Sequence, residues 1–187
     1  MRTFVSINLS DITKKEIYMI QNEIKSNLDE KTVNSIKWEE KDKFHITLFF
    51  IGDVTDNQLK MVSEELGKIN QDKSFQTMHF KSKSFNAFPN LRNPRVLIIE
   101  LENPDEQVLK LYEEVNAALS NCGFQPDKKF HTHITLGRVR RDRKVLLNNI
   151  EQKIIPDFEF DVNGFYFMES KLDSFGSKYK VIKKFEL

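Results

Sequence analysis

Two of the chain's four histidines head the same tetrapeptide, His45-Ile46-Thr47-Leu48 and His133-Ile134-Thr135-Leu136. In a β-strand, residues two apart project from one face. Each copy therefore presents an imidazole beside a hydroxyl, while Ile and Leu anchor the opposite face in a core. Imidazole gains and loses a proton near neutral pH, and a hydroxyl can donate to an oxygen that gathers negative charge. If an approximate twofold brings the two copies together, two rings and two hydroxyls enclose a tetrahedral group. The reaction that needs such a set is in-line displacement at phosphorus. One ring deprotonates the attacking water and the other protonates the departing oxygen, each transfer contributing about 10²–10⁴-fold. A strained five-membered cyclic phosphate leaves readily enough to need no metal.

Neighbouring residues carry weaker signals. Arg138 stands five positions beyond His133, and strict alternation turns it away from the cleft. It reaches a phosphate only if the strand bulges near Gly137. Phe50 holds the equivalent place after His45, where an aromatic could stack on a nucleobase or, among 16 phenylalanines, simply pack. His131 shares a face with His133 and reads more readily as an exposed strand-edge histidine than as a phosphate ligand. His79 has no motif around it. Three histidines without a motif carboxylate make a poor zinc site. The basic run from Arg138 to Lys144 reads as a solvated loop that could steer RNA phosphates.

The elements that must position these residues alternate along the chain. Strands are expected at Phe4 to Leu9, Ser35 to Trp38, Phe44 to Ile51, Phe75 to Phe85, Arg95 to Glu100 and Phe130 to Val139. A closing hairpin is expected from Phe158–Met168 and Tyr179–Phe185. Helical spacing of Ile12, Ile17, Ile20, Ile24 and Leu28 follows a Ser10 or Asp11 cap. A Thr55/Gln58 capping box opens a second helix with Leu59, Val62, Leu66 and Ile69 inward. Asn103-Pro104-Asp105-Glu106 reads as the start of a third, which buries Val108, Leu111, Tyr112, Val115 and Leu119 and stops at Gly123. A short polar helix is possible over Lys144 to Lys153. The repeated motif in this setting implies two similar α+β halves.

With 187 residues, 39 % hydrophobic and 30 % charged, the chain has the composition of a folded protein rather than a disordered one. Its length suits one domain that buries roughly 70 % of its unfolded surface. A net charge of +1 argues against sequence-blind binding of duplexes, though not against a local basic site. Apolar runs fall short of a membrane span, and the opening lacks signal-peptide character. The single cysteine, Cys122, excludes an intrachain disulfide and points to a reducing cytoplasm.

Taken together, the motifs resemble those of the bacterial and archaeal RNA 2′,3′-cyclic phosphodiesterases, the 2′-5′ RNA ligase (LigT-like) family of two-histidine phosphoesterases. The opening strand Arg2-Thr3-Phe4-Val5-Ser6-Ile7 is similar, as is Trp38 leading to His45-Ile46-Thr47-Leu48. So are Ala87-Phe88-Pro89 with Pro94-Arg95-Val96-Leu97, and Phe130 with His133-Ile134-Thr135-Leu136-Gly137-Arg138. The C-terminal match is Phe167-Met168-Glu169-Ser170-Lys171-Leu172 with Gly176, Tyr179 and Phe185. Thr132 stands where the family often has proline, and Glu40 and Lys41 replace prolines common before the first motif.

The resemblance implies an α+β fold of two pseudo-twofold lobes, antiparallel sheets flanked by helices around a central cleft, with residues 1–187 as one bilobal domain. It implies opening of RNA 2′,3′-cyclic phosphate ends to 2′-phosphates, with weak reversible 2′-5′ ligation. His45 would be the acid and His133 the base, although near-symmetry allows the labels to exchange. Thr47, Thr135 and Arg138 would hold the phosphate, and Phe50 would contact substrate. No metal or cofactor, a monomeric state and an RNA or oligonucleotide partner are expected. The rivals are an enzyme for small nucleotide or ADP-ribose cyclic phosphates and a non-catalytic RNA-binding module.

Overall fold

The computed structural model describes residues 1–187 except 70, 72, 74, 127, 128, 148, 149, 151–153, 155, 174 and 175, and except the side chain of 173. Its described elements are β1 (Arg2–Asn8), α1 (Asp11–Ser26), α2 (Glu30–Asn34), β2 (Ile36–Trp38), β3 (His45–Asp53), α3 (Asp56–Leu66), β4 (Met78–Phe88), β5 (Val96–Glu102), α4 (Gln107–Asn121), β6 (His133–Val139), β7 (Glu159–Val162), β8 (Gly164–Asp173) and β9 (Gly176–Glu186). They form two antiparallel sheets, ordered β3-β1-β8-β9 and β2-β6-β5-β4-β7.

The twofold relation is legible in the pairing. In each sheet the motif strand lies beside the strand that precedes the lobe's long helix, β3 on β1 and β6 on β5. The apolar members of the motifs, Ile46, Leu48, Ile134 and Leu136, are buried in one core with Val5, Ile7, Ile17, Leu111 and Val115. β1 is covered on both faces, with residues 3 to 7 all buried. Its polar members are satisfied there: Thr3 Oγ1 donates to the Gly52 carbonyl at 3.3 Å, and Ser6 Oγ donates to Asn8 Oδ1 at 2.9 Å.

Local chemistry sets most boundaries. Ser10 Oγ accepts from the Thr13 N–H to open α1, and the Thr55/Gln58 capping box opens α3. α4 ends on Gly123 at φ +85°, where the Phe124 and Gly123 N–H groups return to the Leu119 and Ser120 carbonyls.

Several expectations are corrected. The helix expected to begin with Asn103-Pro104 starts at Gln107, because Glu106 takes a left-handed φ of 55°. Asn103 and Asp105 cap from farther out, accepting from the Val108 and Gln107 N–H groups. Ile12 is exposed, while Thr13 and Gln21 share the buried face of α1. Phe75 precedes its strand. The segment Phe158–Met168 is not one strand, since β7 joins the second sheet and β8 the first. Gly164 begins β8 with the Phe185 carbonyl 2.7 Å from where a Cβ would stand, so a side chain there would push β9 away. Of the possible helix over Lys144 to Lys153, residues 144–147 are irregular, and most of the rest lies outside the described residues.

Gly137 serves close packing rather than an unusual backbone angle. A Cβ there would sit 2.9 Å from Ile36 Cγ2 and 3.2 Å from the Lys37 carbonyl oxygen. Gly137→Ala is expected to cost about 1–3 kcal/mol by overpacking β6 against β2. Urea unfolding measures this, and a midpoint equal to that of the unaltered chain would contradict it.

Candidate active site

Both motif strands carry an extra residue at the same place, and β3 has a second at Ile51. On β3, Ser6 faces Thr47 but Val5 faces Phe49, so Leu48 is bulged; on β6, Ile98 faces Thr135 but Leu97 faces Gly137, so Leu136 is. The bulge shifts alternation by one residue. Residues at the histidine, two beyond it and five beyond it then share the cleft face. Arg138 and Phe50 accordingly line the cleft, Phe50 with half its surface open (51 %).

The Leu136 bulge is held from a distance. Gln21, fully buried on α1, donates through Nε2 to the Leu136 carbonyl at 2.9 Å and to the Glu39 carbonyl at 2.8 Å. The Glu39 N–H also donates to the Leu136 carbonyl. Lys25 Nζ donates to Gln21 Oε1 at 2.9 Å, and burial lowers its pKa.

The cleft, about 660 Å³, is lined by Thr47 and Phe50 from one lobe and by His133, Thr135 and Arg138 from the other. His45 is not part of that lining. Its ring centre lies 5.3 Å from that of Phe4 and 5.3 Å from that of Tyr179, which it meets edge-on. His133 is braced in the same manner by Phe88, edge-on at 5.0 Å.

Hydrogen bonds fix both tautomers. A carbonyl can only accept, so Nδ1–H of His45 donates to the Lys43 carbonyl and Nδ1–H of His133 donates to the His131 carbonyl, each at 2.7 Å. In each neutral ring the lone pair falls on Nε2. That of His45 accepts from the Thr47 hydroxyl at 3.0 Å. Nε2 of His133 and the Thr135 hydroxyl have no partner among the described residues.

Burial pushes His45 down to about 4, partly offset by the Lys43 carbonyl; His133 and Arg138 depress it further. His133 is lowered for the same leading reason, with the His131 carbonyl and Glu100 acting the other way and His131 and Arg138 adding to the depression. His45 thus senses His133, and both rings sense one guanidinium, that of Arg138.

Residues that motif reading did not single out also meet here. Glu39, raised by burial, lies within electrostatic reach of Arg138 and Tyr179. Tyr112, expected in the core, stacks on Phe130 at 4.5 Å beside the cleft. His131 also lines it. His79 stands outside, exposed and hydrogen-bonded to Asp161 at 2.9 Å. Among the described residues no three His, Cys, Asp or Glu side chains converge as metal ligands.

A ring protonated more readily in the unfolded chain than in the fold makes stability rise with pH between its two pKa values. The His45 contribution is complete above about 6.5 and is lost as pH falls toward 4. His45→Gln should flatten the dependence of urea stability on pH over that window; an unchanged slope would refute this account of the ring's burial.

Comparison with known proteins agrees with this geometry. The LigT like Phosphoesterase family matches the chain in two segments, 10–98 and 99–179. An RNA 2′,3′-cyclic phosphodiesterase of Thermotoga maritima is 33 % identical over 182 residues, covering 97 % of this chain and 93 % of that protein. One of Methanocaldococcus jannaschii is 32 % identical over 187 residues, covering 98 % and 99 %. Among solved structures, a Thermus thermophilus protein superposes with a TM-score of 0.76 at 25 % identity, covering 100 % of this chain and 98 % of that one. Escherichia coli LigT complexed with 3′-AMP shares the fold with a TM-score of 0.77 at 21 % identity, covering 100 % and 97 %. With a family match on each half and relatives aligned along nearly their whole length, the chain belongs to the LigT-like phosphoesterase family.

Proposed function

We propose that this protein hydrolyses the 2′,3′-cyclic phosphate at RNA ends to a 2′-phosphomonoester. The observation that carries the reading is the pair of backbone-tethered imidazoles, each with a threonine two residues on, with Thr47 of one motif and His133 and Thr135 of the other lining one cleft. The relatives' named activity agrees with it. The unit responsible is the whole of 1–187 as one bilobal domain, acting as a monomer in the cytoplasm. Among the described residues no helix is long and apolar enough to cross a membrane.

In the proposed reaction a water oxygen bonds to phosphorus as the P–O3′ bond breaks. His133 Nε2 takes the water's proton. His45 gives its Nε2 proton to O3′, which leaves as the 3′-hydroxyl. Both rings are depressed in the empty cleft, and the substrate's negative charge favours the proton that one of them must carry. His45 is assigned as the acid, its proton supported by the bound phosphate's negative charge, which offsets the burial that depresses the ring in the empty cleft. His133, with Nε2 unengaged, suits activation of a water arriving from solvent. Thr47, Thr135 and Arg138 hold the non-bridging oxygens as charge shifts onto them, and Phe50 lies against a base. An RNA 5′-hydroxyl in place of water gives a 2′-5′ linkage by the same proton transfers.

With an oligonucleotide ending in a 2′,3′-cyclic phosphate, the expected product is the 2′-phosphate, and EDTA should leave turnover intact. His45→Ala and His133→Ala should each lose on the order of 10²–10⁴-fold in kcat while unfolding normally. Substantial hydrolysis by either variant, or a 3′-phosphate product, would overturn the proposal. Turnover confined to small cyclic phosphates would favour the nucleotide or ADP-ribose reading. Since both imidazoles are depressed from 6.5, the kcat/KM optimum should lie on the acid side of that value, with limbs belonging to the coupled pair. An optimum well above it would contradict the assigned electrostatics.

A further inference from the structure

The file of residues leading into β6 extends beyond the reactive centre. Lys129, His131, His133 and Thr135 alternate along the chain, and all four line the cleft. His131 stands out because a part-buried network meets it. Glu100 on β5 pairs directly across the sheet with His133 on one side and with Ser84 on the other. Its Oε2 accepts from Ser84 Oγ at 2.6 Å and its Oε1 from Asn86 Nδ2 at 3.1 Å. The same Oε1 meets His131 Nε2 at 3.3 Å, with the Glu100 side chain 16 % exposed and that of His131 46 %. A carboxylate that far from water needs its partners, and here they fix its position beneath the imidazole. Phe88 meets the His131 ring edge-on at 5.3 Å, and no described residue bonds its Nδ1.

We propose that His131 binds the phosphodiester immediately upstream of the cyclic phosphate and so selects an RNA strand over a free cyclic mononucleotide. The inference rests on the proposed function and assigns the direction of the strand. The ring centres of His131 and His133 are 6.0 Å apart, which leaves room for one phosphate on each. A ring with a carboxylate on Nε2 and a phosphate at Nδ1 donates from both nitrogens, in charge-assisted bonds. Lys129, two residues farther on, continues the track for the next phosphate. A cyclic mononucleotide has only the reacting phosphate and leaves both residues unused. The His131 carbonyl that tethers His133 belongs to the main chain, so replacing the His131 side chain leaves the tether in place.

The test compares adenosine 2′,3′-cyclic monophosphate with a trinucleotide ending in a 2′,3′-cyclic phosphate, using the full chain and His131→Gln. With each substrate measured at its own optimal pH, so that any change in His133 weighs on both alike, the variant should lose about tenfold more in kcat/KM on the trinucleotide than on the mononucleotide, as expected for one charge-assisted contact. The slope of log kcat/KM against log salt on the trinucleotide should become shallower by about 0.7, one single-strand phosphate contact. A merely structural role would not change that slope selectively. Glu100→Gln keeps the Ser84 and Asn86 partners in place, removes the charge, and should shift both readouts the same way by less. Equal losses on the two substrates, or none on either, would overturn the proposal. If the unaltered chain opens neither substrate, the hydrolytic reading fails. Affinity for a trinucleotide with a 3′-terminal phosphate then decides this inference, falling about tenfold in His131→Gln if it holds and staying constant if it does not.

Discussion

The site depends on how side chains alternate along two strands and on a residue at the matching position of each that interrupts the alternation. Without the bulges at Leu48 and Leu136, a histidine and the threonine two positions on would still share a face, but the residue five positions on would turn into the core. Phe50 and Arg138 would then be buried beside Leu48 and Leu136. A bulge removes a ladder position and needs other partners for the groups it frees. On β6 the Leu136 carbonyl receives both the Glu39 N–H and Gln21 Nε2. The position of the Arg138 guanidinium is thus tied to a glutamine buried in the first helix.

The two lobes repeat the same plan but differ electrically. His45 lies across the pair from Asn8, an amide, and His133 lies across from Glu100, a carboxylate. The first ring is sealed between Phe4 and Tyr179 with Nε2 engaged by Thr47. The second presents its Nε2 unengaged beside an anion that favours its protonation. Two identical tetrapeptides thereby acquire different proton affinities, as acid–base catalysis requires of its two partners. The difference comes from the neighbouring strands and not from the motifs.

That origin explains how far the sequence could be read. The duplicated His-Ile-Thr-Leu, the alternating core residues, the capping box at Thr55 and the stop at Gly123 are local patterns, and the fold class and the place of each histidine on its strand follow from them. The bulge on β6 is stabilised by a residue 115 positions away, and no window of sequence contains both. Glu100 acquires its place from cross-strand register, visible only once β4, β5 and β6 are paired. The early start expected for α4 failed because Asn103 and Asp105 cap from outside the helix while Glu106 breaks its backbone. The segment from Phe158 to Met168 reads as one apolar run, yet at Asn163 and Gly164 the chain passes from one sheet to the other. Alternation alone cannot report that, since it continues on both sides of the crossing.

Phe50 and Arg138 occupy equivalent places in the two lobes, one aromatic and the other cationic. A cleft with true rotational symmetry would offer any ligand two equally good poses, related by a half-turn, and only one would set the scissile bond in line with the proper acid. An aromatic ring on one side and a positive charge on the other lift this orientational degeneracy. A ligand with unlike ends then meets unlike surroundings on a scaffold whose backbone is nearly symmetric.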